Sequence, residues 1–154
     1  MSSLPRLRHL FTLFANVDKP QVASNIPIGN RRFIPVIGGT AEGERIRGNV
    51  LPGGSDCQLI RSDGVAELDV RCTFETDDGV VFLMKGFGLR HGPSQVMDQL
   101  AKGYDVDPNE YYFRESVWFE APNDSEYRWL NKVIGIATGH RKAAQVILQV
   151  YEVL

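Results

Sequence analysis

The sequence predicts an all-β protein, its strands closed or nearly closed into an antiparallel barrel with one short helix. Three observations lead there. The 15 glycines and 8 prolines break the 154 residues at short intervals, as turns do in a strand meander. Between them lie runs that alternate apolar and polar residues with the two-residue period of a half-buried strand. Two connections carry Asp-Gly, which supplies the positive φ that tight hairpin turns require. A long, twisted meander removes its exposed edges by closing on itself, and a two-sheet sandwich is the alternative.

The first strand is read at Leu7–Asn16. Arg6 and Arg8 ahead of an apolar stretch imitate a signal peptide, but Asn16 and Asp18 cut that stretch short and no small-x-small cleavage site follows. Short strands are expected at Phe33–Thr40, Arg45–Leu51 and Cys57–Arg61, with Arg31–Arg32 read as solvated turn charge. Ser62-Asp63-Gly64 turns the chain into Val65–Glu75. There Ala66, Leu68, Val70, Cys72 and Phe74 face one way, and Glu67, Asp69, Arg71, Thr73 and Glu75 face the other. Thr76-Asp77-Asp78-Gly79 leads into a strand at Val80–Leu89.

The helix begins at Pro93-Ser94, carries an apolar stripe of Val96, Met97, Leu100 and Ala101, pairs Asp98 with Lys102 one turn on, and ends at Gly103. It lies in an insertion spanning about His91–Glu110. Such a segment is expected either to cap the barrel mouth, hinged at Gly92 and Gly103, or to plug one end. Strands follow at Tyr111–Ala121, Trp129–Thr138 and Ala144–Val153, with Arg141–Lys142 read as turn charge. The last run is apolar on both faces and is expected to be covered on both sides.

Composition narrows the function. With 17 basic and 19 acidic residues the net charge is −2, and the basic residues are scattered among acids, so no nucleic-acid partner is expected. No apolar run approaches the ~18–20 residues of a membrane span. A single cytoplasmic domain is the expectation. The 2 cysteines, Cys57 and Cys72, are too few for a disulfide scaffold or a zinc site, and His9, His91 and His140 show no ligand spacing. There is no dinucleotide fingerprint, phosphate loop or nucleophile elbow. Neither a metal nor a cofactor is expected. What stands out is one alternating set in Tyr111–Ala121, namely Tyr112, Arg114, Ser116, Trp118 and Glu120, which makes a candidate amphipathic wall for a small-molecule site.

Several runs together resemble a known family: Gly48–Asp56, Arg61–Arg71, Thr76–Gly79, Gly88–Gly92, Tyr112–Arg114, Phe119–Glu120 and Tyr127–Asn131. They are similar to the family called domain of unknown function 3237, over nearly the whole chain from about Leu7 to Val153. The resemblance implies a small barrel of the lipocalin or allene oxide cyclase type and no settled activity. It also picks out Arg47, Asp56, Asp69, Arg71, His91, Arg114, Glu120 and Asn131 as motif positions. Cys57, where an aromatic residue commonly follows the Asp, and the helical insertion depart from the pattern.

The expected function is cofactor-independent acid–base catalysis, an isomerase, cyclase or lyase acting on a small oxygenated, aromatic or polyketide-like molecule in the barrel lumen. Asp69 or Glu120 would be the base, His91 the acid or shuttle, and Arg71 and Arg114 the stabilisers of a developing oxyanion. Arg47, Asp56, Tyr112, Trp118, Trp129 and Asn131 would line the ligand. The alternative is a carrier or sensor that uses the same lumen without chemistry. An unpaired carboxylate facing an apolar cavity separates the first from the second, and homo-oligomerisation is left open.

Overall fold

The computed structural model describes residues 3–154. Ten strands follow one another as β1 (Leu7–Val17), β2 (Gln21–Ile26), β3 (Gly29–Glu42), β4 (Arg47–Val50), β5 (Gly54–Ile60), β6 (Ala66–Thr76), β7 (Val81–His91), β8 (Tyr112–Glu120), β9 (Gly135–Arg141) and β10 (Gln145–Val153). The helix α1 (Ser94–Ala101) stands between β7 and β8. Every pairing is antiparallel. From β6 to β10 the chain is a plain meander, and β10 pairs with β1. The sheet closes because β1 also pairs with the second half of β3, from Thr12 opposite Glu42 to Val17 opposite Val36. β4 and β5 share the place between β3 and β6, so the ring has eight staves. The barrel is closed and no sandwich forms.

Closure depends on β3 changing partners halfway along. Its first half pairs with β2 and β5, and its second half with β1 and β4. The change falls at Gly38–Gly39, with φ of +153° and +131°, a backbone that side chains with a Cβ rarely adopt. At Gly39 a Cβ would also lie 1.9 Å from the Phe14 carbonyl oxygen across the β1 ladder. A second irregularity is the bulge between His9 and Phe11 in β1, which explains why the neighbours Leu10 and Phe11 are both buried.

The expected strand positions hold to within a few residues, with two exceptions. Gln21–Ile26 forms a strand that its mixed composition does not announce; it pairs only with β3 and lies outside the barrel wall. The run read as Trp129–Thr138 begins instead as a 3₁₀ turn at Arg128–Lys132, and its strand starts only at Gly135.

The two ends of the barrel differ. One end is filled by Phe11, Phe74, Phe82 and Phe119, with Phe74 stacked on Phe82 at 4.9 Å between ring centroids, and with Leu130 fully buried nearby. Here too the buried Glu152 carboxylate accepts hydrogen bonds from Arg8 and, at 2.8 Å, from Arg45, whose guanidinium lies over the Trp129 ring. The other end takes α1 and leaves polar groups inside.

Candidate active site

Along β8 the buried residues are Phe113, Glu115, Val117 and Phe119, while Tyr112, Arg114, Ser116, Trp118 and Glu120 are exposed. The expected wall therefore faces outward. The physical reason is a comparison of faces: the inward set carries three large apolar side chains and one acid, so burying it gains more than burying a set with two charges. Arg114 donates at 2.9 Å to the neighbouring Phe113 carbonyl oxygen and lies near Tyr112, and Glu120 pairs with Lys85 at 3.4 Å.

Most of the other expected site residues are also outside the lumen. Asp69 and Arg71 pair at 3.7 Å on the outer face of β6. His91 is exposed and stacks on Tyr112, because its neighbour Arg90 takes the inward position at the end of β7. Arg47 is exposed on β4. Asn131 is exposed and clamps the end of β8, accepting from the Ala121 amide and donating to the Ala121 carbonyl oxygen. Trp129 packs at the aromatic end, remote from the polar interior. Of the expected residues, Asp56 is the one whose side chain lines the interior.

The strands bring a different set together. Gln58 on β5, Arg90 on β7, Glu115 on β8 and Arg141 on β9 are all buried. Arg141, read from the sequence as turn charge, points inward, and Arg32 lines the mouth beside it. Glu115 fits because β7 is glycine at the facing positions: a Cβ on Gly86 would lie 2.8 Å from the Glu115 Oε2, and one on Gly88 would lie 2.6 Å from its Cγ. Glu115, Asp56, Gln58, Arg90 and Cys72 line an inner cavity of about 30 Å³ whose remaining wall is apolar, including Leu13, Ile34, Val70 and Phe113. That space holds about one water or one small polar end of a larger molecule.

Burial dominates the electrostatics. Glu115 is pushed from 4.5 up to about 8 by loss of solvation and by the neighbouring Asp56, against the pull of Arg90. Asp56 is raised as well, chiefly by burial, although its carboxylate accepts from the Gln58 amide at 2.8 Å and the Asp69 backbone amide at 3.1 Å. Arg90 is lowered to about 10 by burial and by Arg141, and stays cationic at neutral pH. The Cys72 thiol is driven up to about 12 by burial and the two acids, so at neutral pH it is a neutral wall group rather than a nucleophile. Among the described residues, four buried atoms here have no protein hydrogen-bond partner: Gln58 Oε1, Glu115 Oε2, Arg90 Nε and Arg141 Nη1.

Above this cavity is an outer chamber of about 570 Å³ at the barrel mouth. Arg90 lines both spaces, and Met97 and Leu100 of α1 form part of the chamber wall. The helix thus lies across the mouth, with Val96, Met97 and Leu100 packed on the core cluster. Among the described residues no helix is long and apolar enough to cross a membrane.

The outward position of Arg114 gives a first prediction. Arg114→Ala is expected to change stability by no more than ~0.5 kcal/mol, as is usual for surface substitutions. Urea unfolding checks this, and a loss of several kcal/mol would place Arg114 in a structural network.

Fold and interior together define a closed β-barrel protein with an ionisable cluster enclosed at one end. The chain belongs to the family described as Protein of unknown function (DUF3237), whose model matches residues 5–153. It is 38% identical over 147 residues to UPF0311 protein RPA1785 of Rhodopseudomonas palustris, covering 96% of this chain and 95% of that protein. The crystal structure of RPA1785 superposes with a TM-score of 0.95 at 37% identity, over 99% of this chain and 100% of that one. PR-toxin biosynthesis cluster protein 7 of Penicillium roqueforti is 29% identical over 83% of this chain and 78% of its own length. An enzyme from Penicillium herquei shares the fold, with a TM-score of 0.74 at 19% identity over 100% of this chain and 98% of that one.

Proposed function

We propose that the protein is a cofactor-independent acid–base enzyme, an isomerase, cyclase or lyase, acting on a small oxygenated organic molecule at the mouth end of the barrel. The observation that carries this reading is Glu115: a fully enclosed carboxyl with a pKa near 8 and an Oε2 that no protein donor reaches. A carboxyl serving only to tie strands together would be hydrogen-bonded on both oxygens. One titrating near the working pH donates and accepts protons with comparable ease, which is what general acid–base catalysis asks of it.

The roles follow from position. The carbonyl or hydroxyl end of the substrate enters the inner cavity and its body occupies the outer chamber. The free Arg90 Nε–H donates to the oxygen as negative charge develops there, and Glu115 exchanges the proton at the adjacent carbon or oxygen. Asp56 keeps the Glu115 proton bound in the resting state, since two neighbouring carboxylates resist ionising together. Gln58 orients Asp56. In this reading Glu115 and Arg90 take the parts that the sequence assigned to Asp69 or Glu120 and to Arg71 and Arg114. The P. roqueforti relative, named for a biosynthesis cluster, is consistent with a small-molecule substrate, whereas the P. herquei enzyme speaks for the fold alone.

A generic enolisable ketone tests the chemistry. Cyclohexanone in D₂O is expected to exchange its α-protons faster with the wild-type protein than in buffer, and Glu115→Gln is expected to remove most of that acceleration. Losses at one catalytic group commonly reach about 10²–10⁴-fold. Acceleration that survives intact in Glu115→Gln would remove Glu115 from the mechanism and leave the carrier reading.

A further inference from the structure

We infer that the outer chamber is a carboxylate-binding site, so that the ligand is a small organic acid whose apolar body rests against α1. The inference deepens the acid–base reading by naming the substrate class, but the binding itself stands on separate observations.

The chamber is lined by Lys19, Arg32, Arg90, Lys102 and Arg141, and among the described residues no acidic side chain lines it. Arg90 and Arg141 are only 5% and 9% exposed, and neither they nor Arg32 make an ion pair within 4.0 Å among the described residues. Arg90 Nε and Arg141 Nη1 are buried with no protein acceptor. Two enclosed guanidinium groups with no ion-pair partner within 4.0 Å are costly, and their mutual repulsion adds to the cost. The charged and titratable groups that face them from the packed elements are Asp56 and Tyr111, which act on both, Glu115, which faces Arg90 from the inner cavity, and the cationic Arg32 at the mouth. Asp105, the acid on the connection after α1, is engaged by His140 at 2.8 Å and Lys142 at 3.8 Å. An anion entering from the mouth therefore meets the unoccupied Arg141 N–H donor with Arg32 beside it, the Arg90 Nε–H being left to the substrate oxygen in the inner cavity, and planar guanidinium groups favour the planar carboxylate.

The rest of the wall specifies what carries that anion. Ile60, Ala66, Met97 and Leu100 give the chamber an apolar side as well. A volume of about 570 Å³ is in the range of small-molecule sites, ~300–1,000 Å³. A bare inorganic anion would leave that side unused.

Benzoate is the probe, with benzamide as its neutral isostere and inorganic phosphate as an anion lacking an apolar body. Binding is followed by amide chemical shifts of the full chain. Benzoate is expected to bind saturably, at least 10-fold more tightly than benzamide and than phosphate, with the largest shifts in α1 and around Arg141. Arg141→Met is expected to weaken benzoate by at least 10-fold. Arg32→Met, at the more open rim where folding is not at stake, should weaken it by about 3-fold or more. Equal affinity for benzamide, equal or tighter binding of phosphate, no saturable benzoate binding, or unchanged affinity in Arg32→Met and a folded Arg141→Met would each overturn the proposal. Glu115→Gln separates the two readings: it is expected to bind benzoate like the wild type, so loss of proton exchange with retained benzoate binding touches the chemistry and not the anion site.

Discussion

Glu115→Gln is expected to flatten the dependence of stability on pH. In the folded protein Glu115 titrates near 8 rather than 4.5, so between those values the native state holds a proton that the unfolded chain has released. Stability then falls as pH rises, by about 1.4 kcal/mol per unit, and the fall ends above about pH 8, where both states are ionised. Over the whole window the penalty approaches about 5 kcal/mol. Gln carries no such penalty, so urea unfolding from pH 5 to pH 8 should show wild type losing ground steadily against Glu115→Gln. Asp56, raised in the same direction, leaves a residual decline in the variant. Parallel stability profiles for the two proteins would mean that Glu115 is not enclosed.

The second large effect is expected from Gly88→Ala. A Cβ at position 88 would stand 2.1 Å from the Arg114 carbonyl oxygen and 2.6 Å from the Glu115 Cγ. The side chain can turn aside, but the oxygen belongs to the β7–β8 ladder, where Gly88 is opposite Glu115. Relief therefore requires the two strands to separate. Overpacking typically costs about 1–3 kcal/mol, and a backbone obstacle puts this substitution at ~3 kcal/mol or more. At this chain length that corresponds to a melting temperature lower by ~6–12 °C. Calorimetry reads it directly, and a variant as stable as wild type would show that β7 and β8 are not in close contact at this position.

The barrel was legible because its signals are local and repeated. Alternation in β6, the glycines with φ of +85° at Gly64 and Gly79, and the apolar stripe of α1 each declare themselves within a dozen residues. The site was hidden because it depends on which face of a strand is turned inward. In β8 the two alternating sets both mix aromatic and charged residues, and the richer polar set was mistaken for a lumen wall. The signal was the lone Glu115 among Phe113, Val117 and Phe119. The same logic exposes Arg90, which continues the inward set Phe82, Met84, Gly86 and Gly88 of β7. Reading the motif His91 as functional drew attention one residue too far. Arg32 and Arg141 come together only through the β3 and β9 positions around the closed ring, so nothing in their own neighbourhoods distinguishes them from turn charge.

The central claim is that the barrel encloses an ionisable carboxyl poised near neutral pH. A titration of the Glu115 side-chain carboxyl followed by ¹³C NMR tests it most directly. A midpoint near 8 is expected, moving toward the ordinary range when Gly88→Ala forces the strands apart and admits water. A midpoint of about 4–5 in the wild-type protein, as for a solvated glutamate, would contradict it.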